Sequence, residues 1–393
     1  MSTEAHVHTR VPGELWTRPF RLLVAVAALG GVMALWRFAA GLAAVSNLND
    51  GYPWGIWIAF DVVTGTAFGC GGYAVALLVY ILNKGEYHPL VRPAVLTSLL
   101  GYGLAVVAVT FDLGRFWELW KVPVFFWRWS HSPQLEVALC VAAYVVVLLV
   151  ELSPAFFEKW QKTGSTALRQ WSERGLRFMD KALVWILALG MLLPTMHQSS
   201  LGTMMLLPAT KLHPLWFTPW LPLLFLVNCI LMGYGAVVME GHLAAKAFGR
   251  KAETHMLGRL AKVAYFVAIG WLAFRLIDVV AAGDLRYLAS GLGLMFVIET
   301  LILVAAIAVL ASERSRMSPG GQFRAALLLL VAGTVYRVNV YLVAFQPGAN
   351  WSYFPALPEL LVTFGIIAAE VAIYVYVVRT FPVLSGAPQA ARS

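Results

Sequence analysis

The chain has 393 residues, of which 60% are hydrophobic and only 12% charged, and its mean hydropathy is +0.75. Soluble domains carry roughly a quarter charged residues, so the composition excludes one and defines an all-α, polytopic membrane helix bundle. The net charge of +9 is read as membrane topology and not as nucleic-acid binding, because Lys and Arg collect in alternate loops.

Apolar runs of about 20 residues, the length that crosses hydrocarbon, recur along the chain. Ten are placed, near 20–43, 54–83, 90–112, 133–153, 182–207, 219–245, 258–282, 288–311, 323–345 and 357–379. Residues 1–19 then form one polar tail, 20–380 the membrane domain and 381–393 a second tail. The small residues from Ala40 to Ala44 mimic a signal cleavage site, but the apolar run before them is too long for a signal segment and reads as a retained helix. Most Lys and Arg lie in the N-terminus, the C-terminus and the loops at 84–92, 154–181, 246–262 and 313–324; the intervening loops hold few, except 113–132. The positive-inside rule therefore puts both termini in the cytoplasm and makes the number of helices even. The basic stretch 159–181 is amphipathic and is expected to lie along the inner surface.

Three outer loops are rich in aromatics and proline: GYPWGIW from Gly51, FWELWKVPVFFWRW from Phe116 and NWSYFP from Asn350. They read either as an interfacial girdle of Trp and Tyr or as a platform for a partner on the outer face.

Polar side chains within the spans carry the functional argument, since they are costly at membrane depth and mark substrate, ion or proton paths. The densest cluster is LPTMHQSSLGTMM from Leu193, in which His197, Ser200 and Met204 share one helical face. His197 is either a core residue bonded to neighbouring helices or a ligand or proton carrier; the Gln-Ser-Ser that follows favours the second. On the expected topology Asp61, Asp112, Glu136, His197, Arg275, Asp278, Arg337 and Asn339 fall in the outer half. Tyr102 and Glu299 lie nearer the middle, and Glu151, Glu240, His242 and Glu370 toward the inner side. Membrane acids (Asp61, Asp112, Glu136, Glu151, Glu240, Asp278, Glu299 and Glu370) outnumber membrane bases (Arg37, Arg275 and Arg337). Arg275 and Asp278, at i and i+3, are expected to pair, and Glu151 to mark a helix end. The surplus carboxyls suit a proton relay.

Cys70, Cys140 and Cys229 lack metal-binding spacing, which argues against an iron–sulfur cluster or zinc site in this chain. A haem spanning the bundle usually takes two facing histidines; only His197 lies well inside, so no bis-histidine haem is expected, and a His–Met pair stays open. Asp61, Asp112, His197 and Arg337, with aromatics close by, suit a quinone, whose carbonyls need donors and whose reduction takes protons.

Several segments carry a family resemblance: LNDGYPWGIWIAFDVVTGTAFGCGGYA (48–74), YHPLVRPAVLTSLLGYGLA (87–105), FDLGR (111–115), PTMHQSSLG (194–202), LHPLW (212–216) and YFP (353–355). They resemble the integral membrane subunit of type-2 nickel–iron hydrogenases, the HybB-like branch of the NrfD/PsrC superfamily. The resemblance implies a haem-free, quinone-reactive subunit of the bacterial inner membrane. Its implied partners are an outer-face, ferredoxin-like iron–sulfur subunit and the large and small nickel–iron hydrogenase subunits. It implies a quinone region at the outer ends of the helices carrying Asp61, Tyr102, Asp112 and His197, and a proton route through Tyr102, Glu136 and Glu240.

The combined expectation is a quinone pocket of His197 and Asp112 with Asp61 and Arg337 beside them, and a proton path entering at Glu240 and relayed by Glu136 and Tyr102. The quinone is expected to be menaquinone before ubiquinone. Three alternatives stand: the quinone subunit of another oxidoreductase (molybdopterin, sulfur or multihaem), a secondary transporter with broken helices in two repeats, and a structural anchor.

Overall fold

In a computed structural model of the chain, residues 8–250 and 252–385 are described. Ten long helical segments follow one another: α1 Arg18–Ala40, α2 Trp57–Ile81, α3 Gly85–Asp112, α4 Pro133–Thr163, α5 Thr166–Met204, α6 Leu221–Phe248, α7 Thr254–Ala281, α8 Gly291–Ala311, α9 Pro319–Val343 and α10 Leu357–Thr380. Their starts are written locally. The hydroxyls of Thr17, Ser132, Ser290 and Ser318 accept backbone N–H groups at the heads of α1, α4, α8 and α9, and proline opens α1, α4, α6, α9 and α10.

Among the described residues, nine of these segments are long and apolar enough to cross a membrane; α5 is outside that set. The span expected at 182–207 is the C-terminal part of α5, which runs unbroken from Thr166. The basic stretch 159–181 is therefore not a separate surface helix. It extends α4 and α5 as a helical hairpin that turns at Gly164 and Ser165, with Trp171 packed on Phe157 and Trp160. At 1.5 Å per residue, α4 with 31 residues and α5 with 39 both exceed the roughly 30 Å of hydrocarbon. Glu151 accordingly sits well inside α4 and marks no helix end; its carboxylate covers Gly190 of α5.

Helix α2 departs from regular α geometry. Trp57–Val62 and Leu77–Ile81 are π-helical and enclose two short α segments, and a third π segment, Asn339–Val343, closes α9. Such turns widen a helix without unwinding it and recur at functional sites. Here they carry Asp61, Asn339 and Tyr341. Glycines let α2 lie close to α3: a Cβ on Gly101 would meet Gly69 Cα at 3.2 Å.

Helices α2–α5 pack in one group and α6–α9 in another, joined where α2 and α5 meet α6 and α2 meets α9. Helices α1 and α10 form a pair against the first group, crossing at Gly30 and Gly365, where an added Cβ would lie 2.7 Å from the partner's Cα. Small residues at such crossings let backbones approach closely in lipid.

Both ends of the described chain lie on one face of the bundle. Strand β1 (His8–Thr9) pairs antiparallel with β2 (Leu384–Ser385), Val11 N–H donates to Val378 O at 2.9 Å, and Arg92 binds Glu158 and Pro382 O. An even number of crossings needs this placement. On the opposite face the loop at 46–56 closes on the loop at 345–356. Tyr52 stacks on Tyr353, with ring centres 5.8 Å apart, and Asn49 donates to Ser352 O. Two of the three aromatic loops therefore pack on each other. The third leaves Trp117, Trp120, Phe126 and Trp127 exposed.

The terminal clasp is sensitive to acid. Burial, aided by the charge of Arg92, lowers the His8 pKa from 6.5 to about 4. A depressed folded-state value means that the clasp is at full strength above pH 6.5 and weakens as pH falls toward 4. Limited proteolysis of the N-terminal segment should accelerate over that interval in the native chain and stay flat in His8→Gln.

Candidate functional site

Among the described residues three arginines enter the bundle, and each donates to a group on a neighbouring helix. Arg37 of α1 donates from Nε to Phe111 O at 2.7 Å and from Nη2 to Leu113 O, gripping the end of α3. Arg337 of α9 is fully buried and donates to Asn228 Oδ1 at 2.7 Å, Val63 O at 2.7 Å and Phe225 O at 2.8 Å. It ties α9 to α6 and α2. Arg275 of α7 donates to Glu299 Oε1 of α8 at 2.8 Å, and not to Asp278 as the i, i+3 spacing predicts. The guanidinium points across to the neighbouring helix, over the rings of Phe296 and Tyr336. Glu299 Oε2 accepts from Trp216 Nε1 at 3.0 Å and Asn339 Nδ2 at 2.6 Å, so this carboxylate is fully satisfied.

Around His197 lies a second polar cluster, at the junction of α2, α3 and α5. His197 is wholly buried. Its Nε2 lies 2.9 Å from Tyr102 Oη and 3.0 Å from Gln198 Nε2, and its Nδ1 lies 2.9 Å from Leu193 O. An amide nitrogen can only donate and a carbonyl can only accept, so these contacts place the ring proton on Nδ1 and make Nε2 the acceptor. Tyr102 then donates to His197 while Cys70 Sγ sits 3.1 Å from its hydroxyl. Gln198 also donates to Thr66 Oγ1 at 3.0 Å, and its own Oε1 is buried without a partner. The cluster is a hydrogen-bonded chain able to pass a proton between phenol and imidazole.

Near the face opposite the termini, Asp112 ends α3 beside Arg37, the Gly55 backbone and Glu359; its Oδ1 is buried with no hydrogen-bond partner. Glu359, fully buried in the first turn of α10, accepts from Tyr353 Oη at 2.6 Å, Ala356 N at 2.8 Å and Asn47 N at 3.0 Å. Deeper, Asp61 Oδ2 accepts from Thr363 Oγ1 at 2.8 Å. Toward the terminal face, Glu240 Oε1 accepts from Tyr374 Oη at 2.6 Å.

Asp61 and Glu240 border one cavity of about 440 Å³ between α2, α3, α6 and α10. Its walls are mainly apolar, with Thr97, Glu370 and Tyr374 as further polar lining. The structure thus joins Tyr102 to His197, and Asp61 to Glu240 across a cavity. Glu136 lies apart: it is half-buried in the first turn of α4, and its carboxylate bonds no other described residue. Glu359, Thr363 and Tyr374 escaped the sequence reading. Their spacing with Glu370 (i, i+4, i+11, i+15) is a one-face helical pattern that could have found them.

A bundle of long apolar helices with acid, phenol and imidazole groups buried in its interior is a polytopic membrane protein. The chain belongs to the NrfD family: residues 44–346 match the family described as "Polysulphide reductase, NrfD". It is 35% identical over 389 residues to the "Probable Ni/Fe-hydrogenase 2 b-type cytochrome subunit" of Escherichia coli K12, covering 95% of this chain and 94% of that protein. It is also 27% identical over 259 residues to the "Menaquinone reductase, integral membrane subunit" of Nitratidesulfovibrio vulgaris Hildenborough, covering 64% of this chain and 59% of that one. As a multi-span member of this family, it fits the bacterial inner membrane.

The Arg275–Glu299 pair gives a stability test. Removing one partner of a buried ion pair leaves the other uncompensated, at about 3–5 kcal/mol. Arg275→Met should destabilise by that order in detergent unfolding, and Arg275→Met with Glu299→Gln should recover much of the loss, because Gln keeps an acceptor for Trp216 or Asn339.

Proposed function

We propose that this chain is the quinone-reactive membrane subunit of a hydrogenase-type respiratory complex. Electrons pass between an iron–sulfur partner and a quinone, menaquinone before ubiquinone, and the electrons originate in a nickel–iron large and small subunit pair. The relatives' names support both ends of this reading, one being a hydrogenase subunit and the other a menaquinone reductase subunit. The partner docks on the face opposite the termini, where the aromatics from Trp117 to Trp129 are exposed. The basic loops make the terminal face the cytoplasmic one.

The observation that carries the proton side of the proposal is the cavity bordered by both Asp61 and Glu240. A carboxyl on either side of one cavity is an arrangement that suits proton delivery across a bundle. Glu240 takes protons from the terminal side, and Asp61 and Asp112 stand toward the quinone end. The unpartnered Oδ1 of Asp112 is an acceptor for a quinol hydroxyl. His197 has both nitrogens engaged and Arg337 has three acceptors, so in this arrangement they hold the pocket's frame while Tyr102 and His197 exchange a proton behind it. Glu136, at the head of α4, would act at the far end of the Tyr144 and Cys140 side of that helix. Protons drawn from the terminal side to a quinone near the opposite side make the reaction electrogenic. The π turns of α2 and α9 keep these helices wound, unlike the unwound midplane breaks of an alternating-access transporter.

In the assembled complex reconstituted with quinone, Asp61→Asn and Glu240→Gln should each lower hydrogen-to-quinone turnover by about tenfold or more, the scale of a lost proton-transfer group. Hydrogen-to-dye turnover, which draws electrons before this chain, should be unchanged. Turnover within twofold of the native complex for both variants would reject the proton route; copurification of a molybdopterin or multihaem enzyme in place of hydrogenase would replace the electron donor.

A further inference from the structure

Helix α10 presents a polar stripe that runs from one face of the bundle to the other. Glu359 meets Tyr353 beside Asp112, Thr363 meets Asp61, Glu370 lines the cavity, and Tyr374 meets Glu240. Seven residues separate Thr363 from Glu370, about 10 Å along a helix, and four separate Glu370 from Tyr374, about 6 Å. Among the described residues no two of these carboxyls are hydrogen-bonded to each other. Between them lies the 440 Å³ cavity, half open past the exposed Leu243, Ile367 and Val371, with room for on the order of ten waters at ~30 Å³ each. Walls of Leu, Ile, Val and Phe alone would leave such a space dry, but a water needs only 2–4 polar partners, and Asp61, Thr97, Glu240, Glu370 and Tyr374 all face it.

We infer that Glu370 is a proton-transfer residue linking Glu240 to Asp61 through water in this cavity, so that the route across the bundle follows α10 and not α4. In each step a proton leaves one carboxyl for a water and an equivalent proton leaves the water chain for the next carboxyl; no bond other than O–H changes. Asp61 and Glu240 each hold a hydroxyl partner, from Thr363 and Tyr374, whereas the Glu370 carboxylate bonds no described side chain. It is the rung free to turn between two water contacts. Glu136 is half-buried at a helix head and does not line this cavity.

This inference rests on the quinone reading above, and the same complex tests it. Glu370→Gln should cut the turnover number for hydrogen-to-quinone about tenfold with little change in KM, raise its solvent deuterium isotope effect and leave hydrogen-to-dye turnover intact. Glu370→Asp should restore most of the rate. Infrared difference spectra between reduced and oxidised quinone states should lose a carboxyl C=O band in Glu370→Gln. Native turnover in Glu370→Gln, with Asp61→Asn and Glu240→Gln still impaired, would overturn the role of Glu370 and leave the quinone reading standing. A change in quinone KM alone would also overturn it, by assigning the cavity to a lipid or quinone chain. Full activity in all three variants would remove the quinone reading's proton route as well.

Discussion

The bundle is governed by the cost of a charge away from water. Lipid supplies no hydrogen bonds, so each interior polar group must be met by protein or by enclosed water. The arginines obey this rule by local means. Arg37, Arg275 and Arg337 each find carbonyls, an amide or a carboxylate on a neighbouring helix, and in doing so they fasten α1 to α3, α7 to α8, and α9 to α2 and α6. They are fasteners whose removal would leave buried acceptors stranded.

The acids divide differently. Of the eight membrane acids in the sequence, Glu299 alone has an ion pair among the described residues. It sits between α7, α8 and α9 with every oxygen satisfied. Asp61, Asp112, Glu240 and Glu370 form no ion pair among the described residues, and they gather where α1, α2, α3, α6 and α10 meet. One half of the bundle uses its charges to close itself, and the other keeps carboxyls open to a cavity. A proton carrier must be able to gain and lose its proton without dismantling the fold, and a carboxyl bonded to a hydroxyl can do this where an ion-paired one cannot.

Much of this was legible in the sequence. Long apolar runs located the helices, alternate basic loops put both ends on one face, and the surplus of acids over bases announced the open carboxyls. What was hidden depended on direction. Whether Arg275 turns to Asp278 on its own helix or to Glu299 on the next is decided by packing, and spacing cannot report it. The extension of α4 past Glu151 was obscured because charge in the stretch 154–181 reads equally as loop or as helix beyond the bilayer. Two of three aromatic loops proved to be packed on each other because Gly51 and Gly55 allow Trp351 and Tyr353 to lie against the backbone, a contact about 300 residues away in the chain.

The geometry of α2 links these observations. The π turn gives the residues from Trp57 to Val62 an angular spacing different from that of a regular helix. Asp61 lies within this π turn and accepts from Thr363 of the α10 stripe. A little further on, Gly69 and Gly72 bring α2 against Tyr102 and Ser98 of α3. One irregular helix therefore touches two polar systems, with Asp61 on the cavity and Thr66 and Cys70 on the Tyr102–His197 cluster. Thr66 and Cys70, on the turns after Asp61, touch Gln198 and Tyr102 directly, so the π-turn carboxyl and the phenol–imidazole pair share one helix.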